Sequence, residues 1–278
     1  MRAAIDVAAR ARELSWYHTI DLGDGVVTPG FFDTRPTVAH VPLPGSLAGR
    51  RCLDVGTWDG FWAFELERRG ADSVVAADIE DPDRGDWPPQ SRLGAANADR
   101  LRYLAEFKSG GDSFALAREK LGSRVERIDC SVYDLRPERV GTFDFVFLGS
   151  LLLHLRDPVG ALAAVRSVCA GEAVIADTVE AIPTLLRPRT PSARLAGLGE
   201  PWWWQPNGAA LRRMIESAGF EIVERSGLYF LPVGAGHPPA PLLRTLRGAL
   251  RSGEGREKLI IRLKGIPHMA FRARPVAP

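Results

Sequence analysis

The clearest chemistry in the chain is carried by a glycine turn and two acids. The run LDVGTWDG (53–60) places Asp54, Gly56 and Thr57 between an apolar, strand-like stretch and a helical pattern. Such a turn lets a ligand approach bare backbone and a helix N-terminus. Asp78 ends the next apolar stretch, 20 residues beyond Trp58. An acid at that strand end accepts the two hydroxyls of a ribose. A tight turn and a strand-end acid are each common alone, but their combination points to a ribose-bearing cofactor.

Two cofactors compete for that pattern. A nicotinamide dinucleotide needs Gly-x-Gly-x-x-Gly directly after the strand. Counting from Gly56, Trp58 and Phe61 hold the second and third glycine places. Bulk at the middle place obstructs a pyrophosphate cradle. S-adenosylmethionine carries no phosphate, and its sulfonium is favoured by nearby acids and by an aromatic face. It is the expected cofactor, with methyl transfer as the reaction.

Methyl transfer needs an acceptor lone pair in line with the sulfonium, so positioning supplies much of the rate. An alcohol or phenol acceptor also needs a base, most often histidine. His154 follows the fourth strand-like run, and His18 lies in an aromatic N-terminal stretch placed to close over a pocket. These are the catalytic candidates, and both have a plain structural alternative as loop-bonding residues. His40, His237 and His268 sit among prolines or in the basic tail, with no argument for chemistry. Asp177 and Glu180 flank the fifth strand-like run, either to bind acceptor hydroxyls or as solvated acids. Trp202, Trp203 and Trp204 precede Gln205-Pro206-Asn207. Three adjacent indoles cannot all face one core, which leaves at least one for a ligand or partner. No His-Asp-Glu cluster has ligand spacing, so no essential metal is expected.

These residues need elements to hold them. RCLDV (51–55), SVVAADI (73–79), RVERIDC (124–130), FDFVFLG (143–149) and EAVIADTV (172–179) read as buried strands. Helical patterns lie between them at 61–69, in two pieces over 91–122, and at 157–168, where Asp157-Pro158 makes a favourable start. Alternation of this kind predicts a doubly wound, Rossmann-like α/β sheet, buried on both faces. A helix at 207–218 follows, capped by Asn207. EIVERSGLYF (221–230) and GREKLIIRLKGI (255–266) are expected as a terminal antiparallel strand pair, with a basic helix (241–252) between them. Residues 1–45 form a short helix and an aromatic lid segment. Residues 46–278 form the main domain, with the basic helix inserted at 238–254.

Composition sets the remaining bounds. The 278 residues are 45% hydrophobic and 25% charged, an ordinary globular balance. No apolar run reaches about 18 residues and no secretory pattern opens the chain, so a cytoplasmic protein without a membrane span is expected. Cys52, Cys130 and Cys169 are scattered, as buried thiols are. From Pro241 to Pro278 nine Arg or Lys face two Glu, a local charge of +7 on a chain of net +2. That tail is either a solvated face or a surface for an anionic partner.

Asp-x-Gly-x-x-x-Gly, the strand-end acid and FDFVFLGSLLLHLRDPVGAL (143–162) resemble motifs I, II and IV of class I S-adenosylmethionine-dependent methyltransferases. LDVGTWDGFWAFELERRGA (53–71), WYHTIDLG (16–23) and WWWQPN (202–207) are similar to the family of the tRNA wobble-uridine (5-hydroxyuridine) carboxymethyltransferase and its smaller relatives. The resemblance runs from about Trp16 to Phe220. It implies that Gly56 contacts the methionine part of the cofactor, that Asp54 and Thr57 are cofactor-binding with it, and that Asp78 and Ile79 hold the ribose side. It further implies that Val132 and Tyr133 frame the adenine, Leu148 and Gly149 line the sulfonium region, and Phe31 packs on the cofactor. The tRNA enzyme uses a carboxylated cofactor, with a lysine in the N-terminal segment and a tyrosine before the strand-four histidine. Here the first lysine is Lys108, and Leu153 stands at the tyrosine's place, with Arg35 as an available substitute. A desolvated carboxylate without a partner is costly, so the ordinary cofactor and a small-molecule acceptor are expected. tRNA is the alternative acceptor, a cofactor-binding protein without catalysis is a third reading, and oligomer formation is left open.

Overall fold

The computed structural model describes residues 6–89, 111–197, 202–237 and 253–277. Five parallel strands form the first part of one sheet: Arg51–Val55 (β1), Ser73–Asp78 (β2), Glu126–Asp129 (β3), Phe143–Gly149 (β4) and Cys169–Thr178 (β5). Two short strands, Ala193–Leu195 (β6) and Trp204–Pro206 (β7), pair separately. Phe220–Arg225 (β8), Tyr229–Leu231 (β9) and Ile266–Pro275 (β10) complete the large sheet. Its order is β3-β2-β1-β4-β5-β10-β8, with β9 also on β10, and β10 runs antiparallel to β5, β8 and β9. The expected doubly wound α/β sheet with an antiparallel end is therefore present.

Side chains of each strand alternate between two apolar layers, as the pleat requires. Leu53, Val55, Val146 and Leu148 face one layer, closed by the helices Pro158–Val168 (α5) and Gly208–Ser217 (α7). Cys52, Phe145 and Phe147 face the other, closed by Phe61–Arg68 (α2), Asp112–Lys120 (α3) and the N-terminal segment with Val7–Glu13 (α1). The remaining α-helices among the described residues are Pro137–Val140 (α4), Ala181–Leu186 (α6) and Gly253–Lys264 (α8). Caps fix the helix starts. Asp157 Oδ1 accepts from Gly160 N at 2.8 Å, and Asn207 Oδ1 accepts from Ala210 N at 2.8 Å. All three cysteines are buried free thiols.

The end of the chain differs from expectation. Residues 253–264 are helical, and the last strand is Ile266–Pro275. Leu259, Ile260 and Leu263 carry helical spacing, and a short apolar run in a charged frame does not distinguish helix from strand by hydrophobicity alone. The stretch 221–230 is two strands, β8 and β9, rather than one. The first helical piece expected within 91–122 and the basic helix at 241–252 lie outside the described residues. Among the described residues, no helix is long and apolar enough to cross a membrane.

The N-terminal segment is part of the core layer. Trp16 is 1% exposed and its Nε1 donates to Ala11 O at 2.8 Å. Ile20 and Leu22 join the same layer as Trp62 and Phe147. Trp16→Ala is expected to lower unfolding stability by about 3–5 kcal/mol, read as a fall in the urea midpoint. An unchanged midpoint would show that the segment folds outside the cooperative core.

Candidate active site

The turn after β1 is built on left-handed backbone at Gly56 (φ 78°), Trp58 (φ 52°) and Gly60 (φ 92°). A Cβ on Gly60 would lie 2.6 Å from the Phe64 ring, so only glycine fits the start of α2. Gly56 N donates to Ala77 O at 2.8 Å. Trp58 N donates to Asp78 Oδ2 and Ile79 N to Asp78 Oδ1, both at 2.8 Å. Asp78 thus ties the turn to the end of β2.

Asp54 points into the interior below this turn and is 1% exposed. Its Oδ2 and the neighbouring Thr57 Oγ1 are buried without hydrogen-bond partners. Burial pushes the Asp54 carboxyl up to about 7. The neighbouring Thr57 hydroxyl and the Ala63 backbone amide oppose that shift without cancelling it.

The N-terminal segment locks onto the same turn through Asp59, which is fully buried. Asp59 Oδ2 accepts from Tyr17 N and His18 N, both at 2.8 Å, and Oδ1 meets His18 Nδ1 at 2.5 Å. A carboxylate partner places the proton on Nδ1 and leaves Nε2 with its lone pair. The His18 ring stacks on Phe61, and Tyr17 lies on Trp58 with centroids 5.0 Å apart. Burial, then the charges of Asp177 and Asp59, hold the Tyr17 phenol well above its ordinary range.

His18 and Tyr17 line a narrow cavity of about 20 Å³ where β4, β5 and β10 meet. Gly149, Ser150, Tyr229 and His268 form its other side. Ser150 has φ 50°, and its Oγ lies 2.9 Å from His268 Nε2. His268 Nδ1 lies 2.9 Å from Ile266 O. His268 is 4% exposed, and burial lowers its imidazole to about 4.

Asp177 is not a solvated strand-end acid. It is 1% exposed, and accepts from Leu152 N and Thr178 N, both at 2.7 Å, so it shapes the turn after β4. Burial raises it to about 7 against those amides. Glu180 pairs with Arg194 at 3.0 Å. His154 lies in that turn with its ring edge-on to Trp87, centroids 5.5 Å apart. Around it, Asp86 accepts from Tyr133 Oη at 2.8 Å and from Arg156 N at 2.7 Å. Two tryptophans buttress this hub. Trp203 Nε1 donates to Asp86 O at 2.5 Å, and Trp204 Nε1 to Arg156 O at 3.1 Å.

The structure therefore gathers Asp54, Gly56, Thr57, Asp78, Ile79 and His18 around the glycine turn, with Gly149 across the cavity. Leu148 is wholly buried in the apolar layer, so it meets this edge through its backbone. Val132 is buried beside the Ser131-capped turn, while Tyr133 is tied to Asp86 and Asp157. Phe31 packs on His237 (4.0 Å) and edge-on to Phe32 (4.9 Å), and is not among the residues lining the cavity. Sequence reasoning passed over Asp59, Ser150, His268 and Asp86. Asp59 lies inside LDVGTWDG and was open to reading as a histidine partner. His268 was hidden by the misread end of the chain.

Residues 36–225, more than half the chain, match the model of a methyltransferase domain family, and the chain belongs to that family. A tRNA U34 carboxymethyltransferase of Pseudomonas aeruginosa is 30% identical over 63% of this chain and 46% of its own length. The same-named protein of Dichelobacter nodosus is 28% identical over 64% and 47%. The chain thus spans about half the length of these curated relatives. Among solved structures, the 1,6-didemethyltoxoflavin-N1-methyltransferase of Burkholderia thailandensis aligns at a TM-score of 0.46 and 14% identity, over 83% of this chain and 72% of that one.

S-adenosylmethionine is the cofactor implied by this family, and the turn fits it. The unpartnered Asp54 Oδ2 and Thr57 Oγ1 suit the cofactor's ammonium, and Asp78, a carboxylate at the end of β2 beside the turn, suits its ribose. Asp54 also sets a pH dependence. Its folded value is raised from the usual 3.8, so its contribution to stability is full below about 4 and is lost as pH rises through about 7. Asp54→Asn is expected to raise the melting temperature at pH 8 by more than at pH 5, while weakening cofactor binding. Equal shifts at the two pH values would remove burial as the cause. Asp78→Ala is expected to abolish micromolar cofactor binding in calorimetry, and retained affinity would move the ribose site elsewhere.

Proposed function

We propose that this chain methylates an oxygen or nitrogen of a small hydroxylated or aromatic metabolite, with His18 as general base. The observation that carries this reading is the Asp59-fixed His18 on the wall of a cavity that it shares with Gly149 and Ser150. When bound, the cofactor supplies an electrophilic methyl on a sulfonium. His18 Nε2 takes the acceptor proton as the acceptor lone pair is committed to the methyl carbon. Asp59 stabilises the imidazolium that forms and holds the ring in place. Tyr17 and Trp62 exclude water from the cavity. His154 packs against Trp87 and is absent from the cavity wall, so the base role goes to His18 rather than to His154.

The ordinary cofactor is favoured over a carboxylated one. Arg35 is already forked onto Asp33, with two contacts of 2.8 Å. Among the described residues, no lysine or arginine lines the cavity. A second reading, a tRNA acceptor, is supported by the named relatives and by a surface cavity of about 280 Å³. Arg189, Arg212, Arg213 and Arg225 line that cavity, with Glu216 as its carboxylate. Four guanidiniums suit phosphates.

The test uses radiolabelled cofactor against a panel of phenols, alcohols and amines, and against bulk tRNA. Label is expected in a small molecule. Label in tRNA alone reverses the assignment. With the acceptor in hand, His18→Ala is expected to lower kcat by about 10²–10⁴-fold at unchanged cofactor affinity, with His154→Ala close to wild type. The opposite pattern would transfer the base role to His154.

A further inference from the structure

The far wall of the transfer cavity has a hydrogen-bond polarity that follows from its partners. Ile266 O, a carbonyl, can only accept, so His268 Nδ1 carries the proton that fills the 2.9 Å contact. Burial keeps His268 neutral at physiological pH. Its Nε2 therefore holds a lone pair, and the contact to Ser150 is filled by the serine hydroxyl hydrogen. Having spent that hydrogen, Ser150 Oγ offers the cavity lone pairs only. Its place is fixed as well, since Ser150 N donates to Ala176 O at 2.8 Å and the residue holds φ 50° immediately after Gly149. Behind the chain, the Tyr229 ring stacks on His268 with centroids 5.7 Å apart, and His40 stacks on Tyr229 at 5.8 Å.

On this basis, and resting on the functional reading above, we propose that Ser150 is an acceptor-binding residue, with His268 as its positioning residue, and that together they select a methyl acceptor bringing its own hydrogen. Tyr17, Thr34 and Tyr229 also line the cavity, but His18 and Ser150 present lone pairs to it, so the group that engages these two is a hydrogen-bond donor: a phenol or alcohol hydroxyl, or an N–H. Ethers and tertiary amines of the same shape leave those lone pairs desolvated and unpaired, which costs more than the bond itself contributes. Among the described residues, a carboxylate finds no lysine or arginine on the cavity wall.

Two measurements test this, neither of which needs turnover. Nitrogen-15 NMR of the full chain reads the His268 tautomer directly. The proposal requires a neutral ring protonated on Nδ1 at pH 7, and a ring protonated on Nε2, or a charged ring, overturns it. The second measurement compares phenol with anisole as probes of the protein loaded with the demethylated cofactor. Phenol is expected to bind about five-fold or more tightly than anisole, with the preference lost in Ser150→Ala and kept in His18→Ala. Equal binding, no phenol binding, or a preference that survives Ser150→Ala overturns the proposal. Failure of the methyl-transfer reading appears separately, as absence of label transfer while the phenol preference and the tautomer stand.

Discussion

The site depends on one buried carboxylate. Asp59 stands in the turn between β1 and α2, yet it accepts from two backbone amides and one ring nitrogen of the N-terminal segment. A buried carboxylate with no donors would be strongly unfavourable, so these contacts are required wherever Asp59 is buried. The turn therefore cannot take this form without the segment docked on it, and the segment brings His18 and Tyr17 with it. The stretch expected as a lid is docked on the core in this structure, with Trp16 as its anchor.

A second buried acid sets the opposite wall. Asp177, at the end of β5, accepts from Leu152 N and so draws the turn after β4 across the sheet edge. Ser150 and His154 stand on either side of that constraint and end in different surroundings. Ser150 faces the cavity and β10. His154 faces Trp87 and the hub built on Asp86, where Trp203 and Trp204 also find their partners. The adjacent tryptophans are thereby accounted for, because two of the indoles carry hydrogen bonds to backbone carbonyls at the margin of the site.

Much of this was legible in the residues. β1 and β4 occupy the spans that their apolar runs indicate, 51–55 and 143–149, because strands buried on both faces leave an unbroken hydrophobic signature. The glycine turn and Asp78 were legible because their roles are local, fixed by backbone conformation and by one strand end. His268 was not legible. Its meaning depends on β10 pairing with both β5 and β9, which brings residue 268 opposite Thr178 and Tyr229. No spacing within the chain encodes that meeting. The expected strand at 255–266 compounded it, since a strand placed there leaves His268 in a tail, whereas 253–264 is helical.

The three buried acids also differ in a way that separates architecture from binding. Asp59 has three donors and Asp177 has at least two, all supplied by the chain, so their positions are complete as folded. Asp54 is as deeply buried but keeps an oxygen without a partner, beside a hydroxyl in the same condition. An interior group left unsatisfied destabilises the fold, and such a group persists where something outside the chain completes it. A cationic ligand group at Asp54 restores the missing interaction and favours the charged carboxylate. Binding then stabilises the protein by mass action as well as filling the site. If the cofactor's ammonium is that group, the cost of burying Asp54 falls on the free protein and is relieved on binding, which couples the glycine turn to loading.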